Sequence, residues 1–189
     1  MFWHAHLMLA DMHIYGALVV YSDTVNDGLE YDEERILVLS DYWRESPESL
    51  FYNLVTAPVF KWIGAPASFL TNGKTVGENC TADHPSELQT TEVEYGKTYR
   101  FRIISAASLF ATHFAIEGHE MTIVEVEGEL IEPITVDSLE LFSGQRYSVI
   151  IKANRPIQEY LMSNVGKWRK GAPNNGKSIL KYVGSESTL

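Results

Sequence analysis

Gly or Pro breaks recur along almost the whole chain, at Asn72-Gly73, Gly96, Gly118, Gly128, Pro133, Gly144, Pro156 and Gly166. The runs between them are too short for the sustained 3.6-residue periodicity of long helices. Their spacing predicts strands at 14–20, 35–39, 67–71, 88–94, 98–104, 112–117, 120–126, 138–142, 145–152, 158–163 and 178–183. "TYRFRII" and "QRYSVII" alternate cleanly; in the second, Tyr147, Val149 and Ile151 share one face and Arg146, Ser148 and Ile150 the other. Only 48–56, "ESLFYNLVT", reads as a short helix. Many short strands with regular turn signals indicate an all-β sandwich or barrel. No internal repeat or low-complexity segment interrupts the pattern, and the acidic stretch at 27–34 reads as a solvated loop.

A chain of 189 residues, 45% apolar and 12% aromatic, can bury one substantial core. Its net charge of −10 argues against a nucleic-acid partner, which selects basic surfaces. No run approaches the roughly 18 apolar residues of a membrane span. The opening residues also lack the charged and apolar regions of an export signal. There is one cysteine, Cys80, so no internal disulfide can form. It lies in Asn79-Cys80-Thr81, which fits the glycosylation tripeptide and reads more simply as a loop.

The chain opens "MFWHAHLMLADMHIYGALVV". In an extended run His4 and His6 share a face, roughly 7 Å apart along the strand. Two imidazoles so placed suit a metal site, and they equally suit a plain surface pair. Residues 1–21 supply only two strands, which cannot make a stable sheet unaided. They are therefore expected to be the C-terminal part of a first domain. Residues 22–33 would form a linker and 34–184 a second domain. On that division the 1–21 segment should be loosely held, with "IYGALVV" as an exposed edge.

With the remaining segments in view, the chain resembles the multicopper oxidases, the laccase and ascorbate-oxidase family. "FWHAH" followed by "IYGALVV" is similar to the family's second copper-binding segment. "ERILVLSDYW", "FKWIGAPASFLTNGK" and the stretch from "GKTYRFRII" to "YSVIIKANRP" are similar to its second plastocyanin-like domain. The resemblance implies a cupredoxin-like Greek-key β-sandwich preceded by the last strands of another. It also implies an oxidoreductase that takes single electrons from a small-molecule reductant, a phenol or an ascorbate-like enediol, and reduces dioxygen to water. His4 and His6 match the two copper ligands that serve the binuclear pair of the trinuclear cluster. The other ligand segments, including a His-Cys-His, do not occur in these residues. They would belong to the missing cupredoxin domains of the same protein, so this chain alone should be inactive. Secretion is also implied.

For the other histidines the resemblance implies no copper. His119, in "EGHEMTI", matches a turn histidine of structural role, and His113 alternates with core residues. His84 reads as a loop residue, and His13 is unassigned. Asp41, in "SDYW", matches a strand end where a carboxylate accepts backbone hydrogen bonds. Two rival readings stand beside this one. The chain could be a non-catalytic sandwich module that binds partners and no copper. It could also be a cupin-like metal enzyme, but Leu9 and Ala10 stand where that pattern needs a Glu.

Overall fold

The computed structural model describes residues 1–21, 28–56, 58, 60–75, 88–168, 171 and 176–186. It begins with a hairpin, β1 (Phe2–His4) and β2 (Tyr15–Ala17), interrupted by a 3₁₀ turn at Ala10–Met12. There follow β3 (Glu33–Tyr42), α1 (Pro47–Val55), β4 (Ser68–Thr71), β5 (Gln89–Val93), β6 (Thr98–Ser105) and β7 (Ala111–Ile116). The remaining strands are β8 (Met121–Val126), β9 (Glu129–Val136), β10 (Ser138–Leu141), β11 (Arg146–Lys152), β12 (Glu159–Lys167) and β13 (Gly176–Tyr182).

The strands from β3 onward make two facing sheets, ordered β4-β3-β6-β11-β8-β9 and β10-β7-β12-β13-β5. Two pairs, β3 with β6 and β5 with β13, are parallel and so need crossovers; the other pairs are antiparallel. Period-2 alternation aims one set of side chains between the sheets. Leu37, Leu39, Tyr99, Phe101, Ile103, Val149 and Ile151 from the first meet Phe114, Leu141, Tyr160, Met162, Leu180 and Tyr182 from the second. Val149 and Ile151 are buried and Tyr147 packs against the same core, as the alternation of "QRYSVII" predicts.

Helix α1 starts where capping chemistry allows it. The Ser46 hydroxyl accepts from Ser49 N–H at 3.2 Å, and Pro47 occupies the first helical turn, where its missing N–H costs nothing. Leu50 is its inward anchor. Strand β9 departs from the sequence expectation, which took Gly128 and Pro133 as punctuation. It is an edge strand, where a proline removes no obligatory ladder bond. Its pairing with β8 also shifts between Ile123↔Ile134 and Glu125↔Leu130, which absorbs the residues around Pro133.

The outer face of β6 departs from simple alternation too. Arg100 is only 3% exposed although it points away from the core. Its guanidinium donates to Glu125 at 2.6 Å, and the Tyr31 ring lies 5.6 Å from it. Beside it, Arg102 binds Glu34 through two hydrogen bonds of 2.7 and 3.1 Å, and Tyr21 and Tyr31 donate to the same carboxylate. Burial works to raise the Glu34 carboxyl, but Arg102 and the two tyrosines outweigh it and pull it down to about 2. Residues on both sides of 22–27 are thereby fastened to the sheet.

Candidate metal centre

The hairpin positions the two leading histidines. Its register pairs Phe2 with Ala17, Trp3 with Gly16 and His4 with Tyr15. The exposed Trp3 indole lies over the Gly16 backbone, where a Cβ would meet it at 2.8 Å and have to push the ring aside. Past the end of β1, Ala5 N–H donates to Ile14 C=O at 2.9 Å and keeps the two arms together as far as His6.

The hairpin makes specific contacts with the sandwich. Met12 is buried with Trp43, Leu50, Phe69 and Phe110 in a second core cluster. Tyr15 donates its hydroxyl to Ser40 at 2.7 Å, and Ser108 donates to the Asp11 carboxylate at 2.6 Å. The other face fits the exposed-edge expectation better: Trp3, Leu7, Met8, Ile14, Leu18 and Val20 all remain exposed.

His4 and His6 come together on this platform. Their ring centroids are 5.7 Å apart with planes tilted by 46°, and both residues are exposed. Phe2 stacks on the His4 ring at 5.1 Å. His4 Nδ1 lies 2.9 Å from Ala5 C=O, which can only accept, so Nδ1 carries the proton and Nε2 keeps its lone pair. A backbone carbonyl that fixes the tautomer is the usual support of a ligating imidazole. The donor set therefore fits a borderline metal such as copper at two positions. Among the described residues, no group of three or more His, Cys, Asp or Glu could hold a metal ion.

The other titratable candidates are occupied. His119 is buried; Nδ1–H donates to Glu117 C=O and Nε2 accepts from Tyr182 O–H, each at 2.8 Å. Burial lowers its pKa, against the opposing hydrogen bond to Glu117, and the charge of Arg155 adds to the lowering. Asp41 is 1% exposed and accepts from Ser108 N–H at 2.9 Å and Leu109 N–H at 3.2 Å. Burial raises its carboxyl against those bonds. His113 sits half-buried on β7, 3.9 Å from Glu140 across the pair with β10. His13 is exposed. Asn79, Cys80 and His84 lie outside the described residues. Sequence reasoning missed Asp11 and Tyr15 as anchors, because their partners Ser108 and Ser40 are 97 and 25 residues away.

The sequence model of the multicopper oxidases matches residues 33–185. The chain belongs to the multicopper oxidase family. It is 32% identical over 205 residues to the L-ascorbate oxidase of Brassica rapa subsp. pekinensis, covering 99% of this chain and 36% of that protein. It is 35% identical over 195 residues to Laccase-1 of Fomitopsis schrenkii, covering 97% of this chain and 34% of the other. The chain thus spans about a third of the length of these relatives. Its fold is that of the solved laccase from Botrytis aclada, with a TM-score of 0.79 at 24% identity, over 100% of this chain and 36% of that one. This multicopper oxidase chain is therefore an all-β, cupredoxin-like sandwich with an N-terminal hairpin. No helix among its described residues is long and apolar enough to cross a membrane.

Proposed function

We propose that this chain is part of a copper-dependent oxidase that couples one-electron oxidation of a phenolic or enediol substrate to reduction of dioxygen to water. His4 and His6 would be its contribution to the copper cluster. The observation that carries this reading is the His4–His6 pair itself: two exposed imidazoles 5.7 Å apart, one with its tautomer fixed by a backbone carbonyl, in a chain of this family. Copper, when bound, supplies the one-electron redox steps and the dioxygen chemistry that side chains cannot perform. The chain's own residues bind and orient. Ala5 C=O leaves His4 Nε2 as the available donor, and Phe2 restrains the ring against rotation. Met12, Asp11 and Tyr15 hold the hairpin to the sandwich.

On this reading residues 1–21 end one plastocyanin-like domain and 22–33 link it to a second at 34–184. The second domain acts as a spacer that aligns ligand-bearing neighbours. The remaining ligands, the reductant site and secretion belong to the whole protein. The test is copper titration of the purified chain, followed by electron paramagnetic resonance, beside His4→Ala/His6→Ala. Nitrogen-coordinated copper that disappears in the double variant is the expected result. No copper uptake, or uptake unchanged in the variant, would leave a non-catalytic sandwich module as the better account.

A further inference from the structure

The outer face of the six-stranded sheet carries a cleft that the histidine pair does not use. It encloses about 220 Å3, and Thr122, Thr135, Lys152, Asn154 and Arg155 contribute to its lining. Its floor follows from register: Ile150 on β11 lies opposite Thr122 on β8, and Thr122 opposite Thr135 on β9. The two threonine hydroxyls meet at 3.0 Å and remain accessible. Lys152, two residues beyond Ile150, projects on the same face. The turn that follows is pinned, since Arg155 N–H donates to the Tyr182 hydroxyl at 3.2 Å while that hydroxyl donates to buried His119. The charge of Arg155 is felt at His119, which also borders the cleft.

Charge makes this cleft unusual for the chain, which has 25 acidic and 15 basic residues. Elsewhere in the same sheet and its approaches the cations are matched. Arg35 and Lys97 pair with Glu33, Arg100 and Arg102 with Glu34 and Glu125, and Arg146 with Glu127. The Lys152 ammonium and the Arg155 guanidinium make no ion pair or hydrogen bond with any described residue, although both border one cleft. One carboxylate, Glu120, is also in the lining, and it pairs with neither.

We propose that this cleft binds a phosphate group, free or as a monoester, between Lys152 and Arg155 with the hydroxyls of Thr122 and Thr135 as further donors. The donors approach from three elements: the hydroxyls from β8 and β9, the ammonium from the end of β11, and the guanidinium from the turn after it. A tetrahedral oxyanion presents oxygens to several sides at once, whereas a carboxylate offers two in one plane. Arginine supplies the forked donor that matches such an anion, and lysine a mobile point charge. Glu120 leaves the lining with a net charge of only +1, so recognition depends on direct contact rather than on a long-range field.

The test uses the whole chain, isotopically labelled and titrated with inorganic phosphate at constant ionic strength. Saturable shifts of the Asn154 and Arg155 amides and the His119 ring are expected, with loss of saturation in Lys152→Ala/Arg155→Ala. Both side chains are exposed, so that variant should keep its fold, which its circular dichroism spectrum checks. Removing the opposing charge with Glu120→Gln should tighten binding roughly 2- to 5-fold, the scale of one exposed charge interaction. A phosphoserine peptide run in parallel assigns the source: tighter binding than inorganic phosphate points to an ester, weaker binding to the free ion. Shifts that grow linearly without saturation, that chloride reproduces at equal ionic strength, or that survive in the double variant would overturn the proposal. So would weaker binding in Glu120→Gln.

Discussion

His119 shows how a single residue comes to depend on its surroundings. Both its nitrogens are committed, Nδ1–H to Glu117 C=O and Nε2 to the Tyr182 hydroxyl, so the fold requires the neutral ring. Protonation would force Tyr182 to stop donating, inside a site where burial already disfavours charge. The folded pKa is therefore below the unfolded value of about 6.5. Above that value both states are neutral and His119 adds no pH dependence. As pH falls below it, the unfolded chain takes up a proton that the folded chain refuses, and stability is lost. Urea midpoints measured between about pH 7 and pH 5 should fall more steeply in the wild type than in His119→Gln. Glu34 acts in a separate, more acidic window. Its carboxyl is held down to about 2, so its contribution is intact above the unfolded value near 4.3 and is lost as pH falls toward 2. Asp41 is tested by removal. Asp41→Ala strands the half-buried N–H groups of Ser108 and Leu109 and should cost about 1–3 kcal/mol in denaturant unfolding, with Asp41→Asn less damaging because one acceptor remains.

At the scale of elements, close approach decides what the backbone tolerates. A Cβ at Gly176 would lie 2.0 Å from Asn164 C=O and 2.8 Å from Phe69 Cβ, where β12 and β13 pair beneath β4. Neither neighbour is a flexible side-chain end, so Gly176→Ala should destabilise by at least about 3 kcal/mol, measured by chemical denaturation. The hairpin of β1 and β2 gives a graded expectation. Amide exchange should protect Ala5 and Leu18, which donate to Ile14 and Met1, but less than the amides of β6 and β11 in the centre of the larger sheet. Tyr15→Phe, which removes the bond to Ser40, should reduce that hairpin protection and cost about 1 kcal/mol. Protection of the hairpin equal to that of β6 would mean that it unfolds only with the sandwich. Among the elements, α1 was legible as the helical run at 48–56, from the spacing of Leu50, Asn53 and Leu54. Its cap at Ser46 and Pro47 appears only in the structure, and β9 was hidden by Pro133, whose tolerance depends on edge position.

For the whole molecule, the number of copper donors in these residues sets what the purified chain is expected to do. Two imidazoles hold copper weakly when the other coordination positions go to water. A blue copper centre further requires a cysteine thiolate among histidines, and no His-Cys-His occurs in these residues. Adding copper to the purified chain should give no intense blue absorption and no oxygen uptake with phenols or ascorbate above that of free copper. Uptake above that level, lost in His4→Ala/His6→Ala, would mean that this chain assembles a working site by self-association.

By itself the sequence determined the all-β class, the inward rows of most strands, the short helix and the placement of His4 with His6 on one surface. Each of these depends on neighbours within a few residues, through side-chain periodicity and turn signals. Tertiary structure alone decided the rest. The parallel pairing of β3 with β6 and β5 with β13 brings together segments far apart in the chain. The burial of Arg100, an outward residue by alternation, required Tyr31 and Glu125 to cover it. The docking of the hairpin rests on Asp11 with Ser108 and Tyr15 with Ser40. The cleft with Lys152 and Arg155 exists because β8, β9 and β11 lie side by side. Local patterns specify which way a side chain points, but its pairing, exposure and charge state are set by what the fold brings against it.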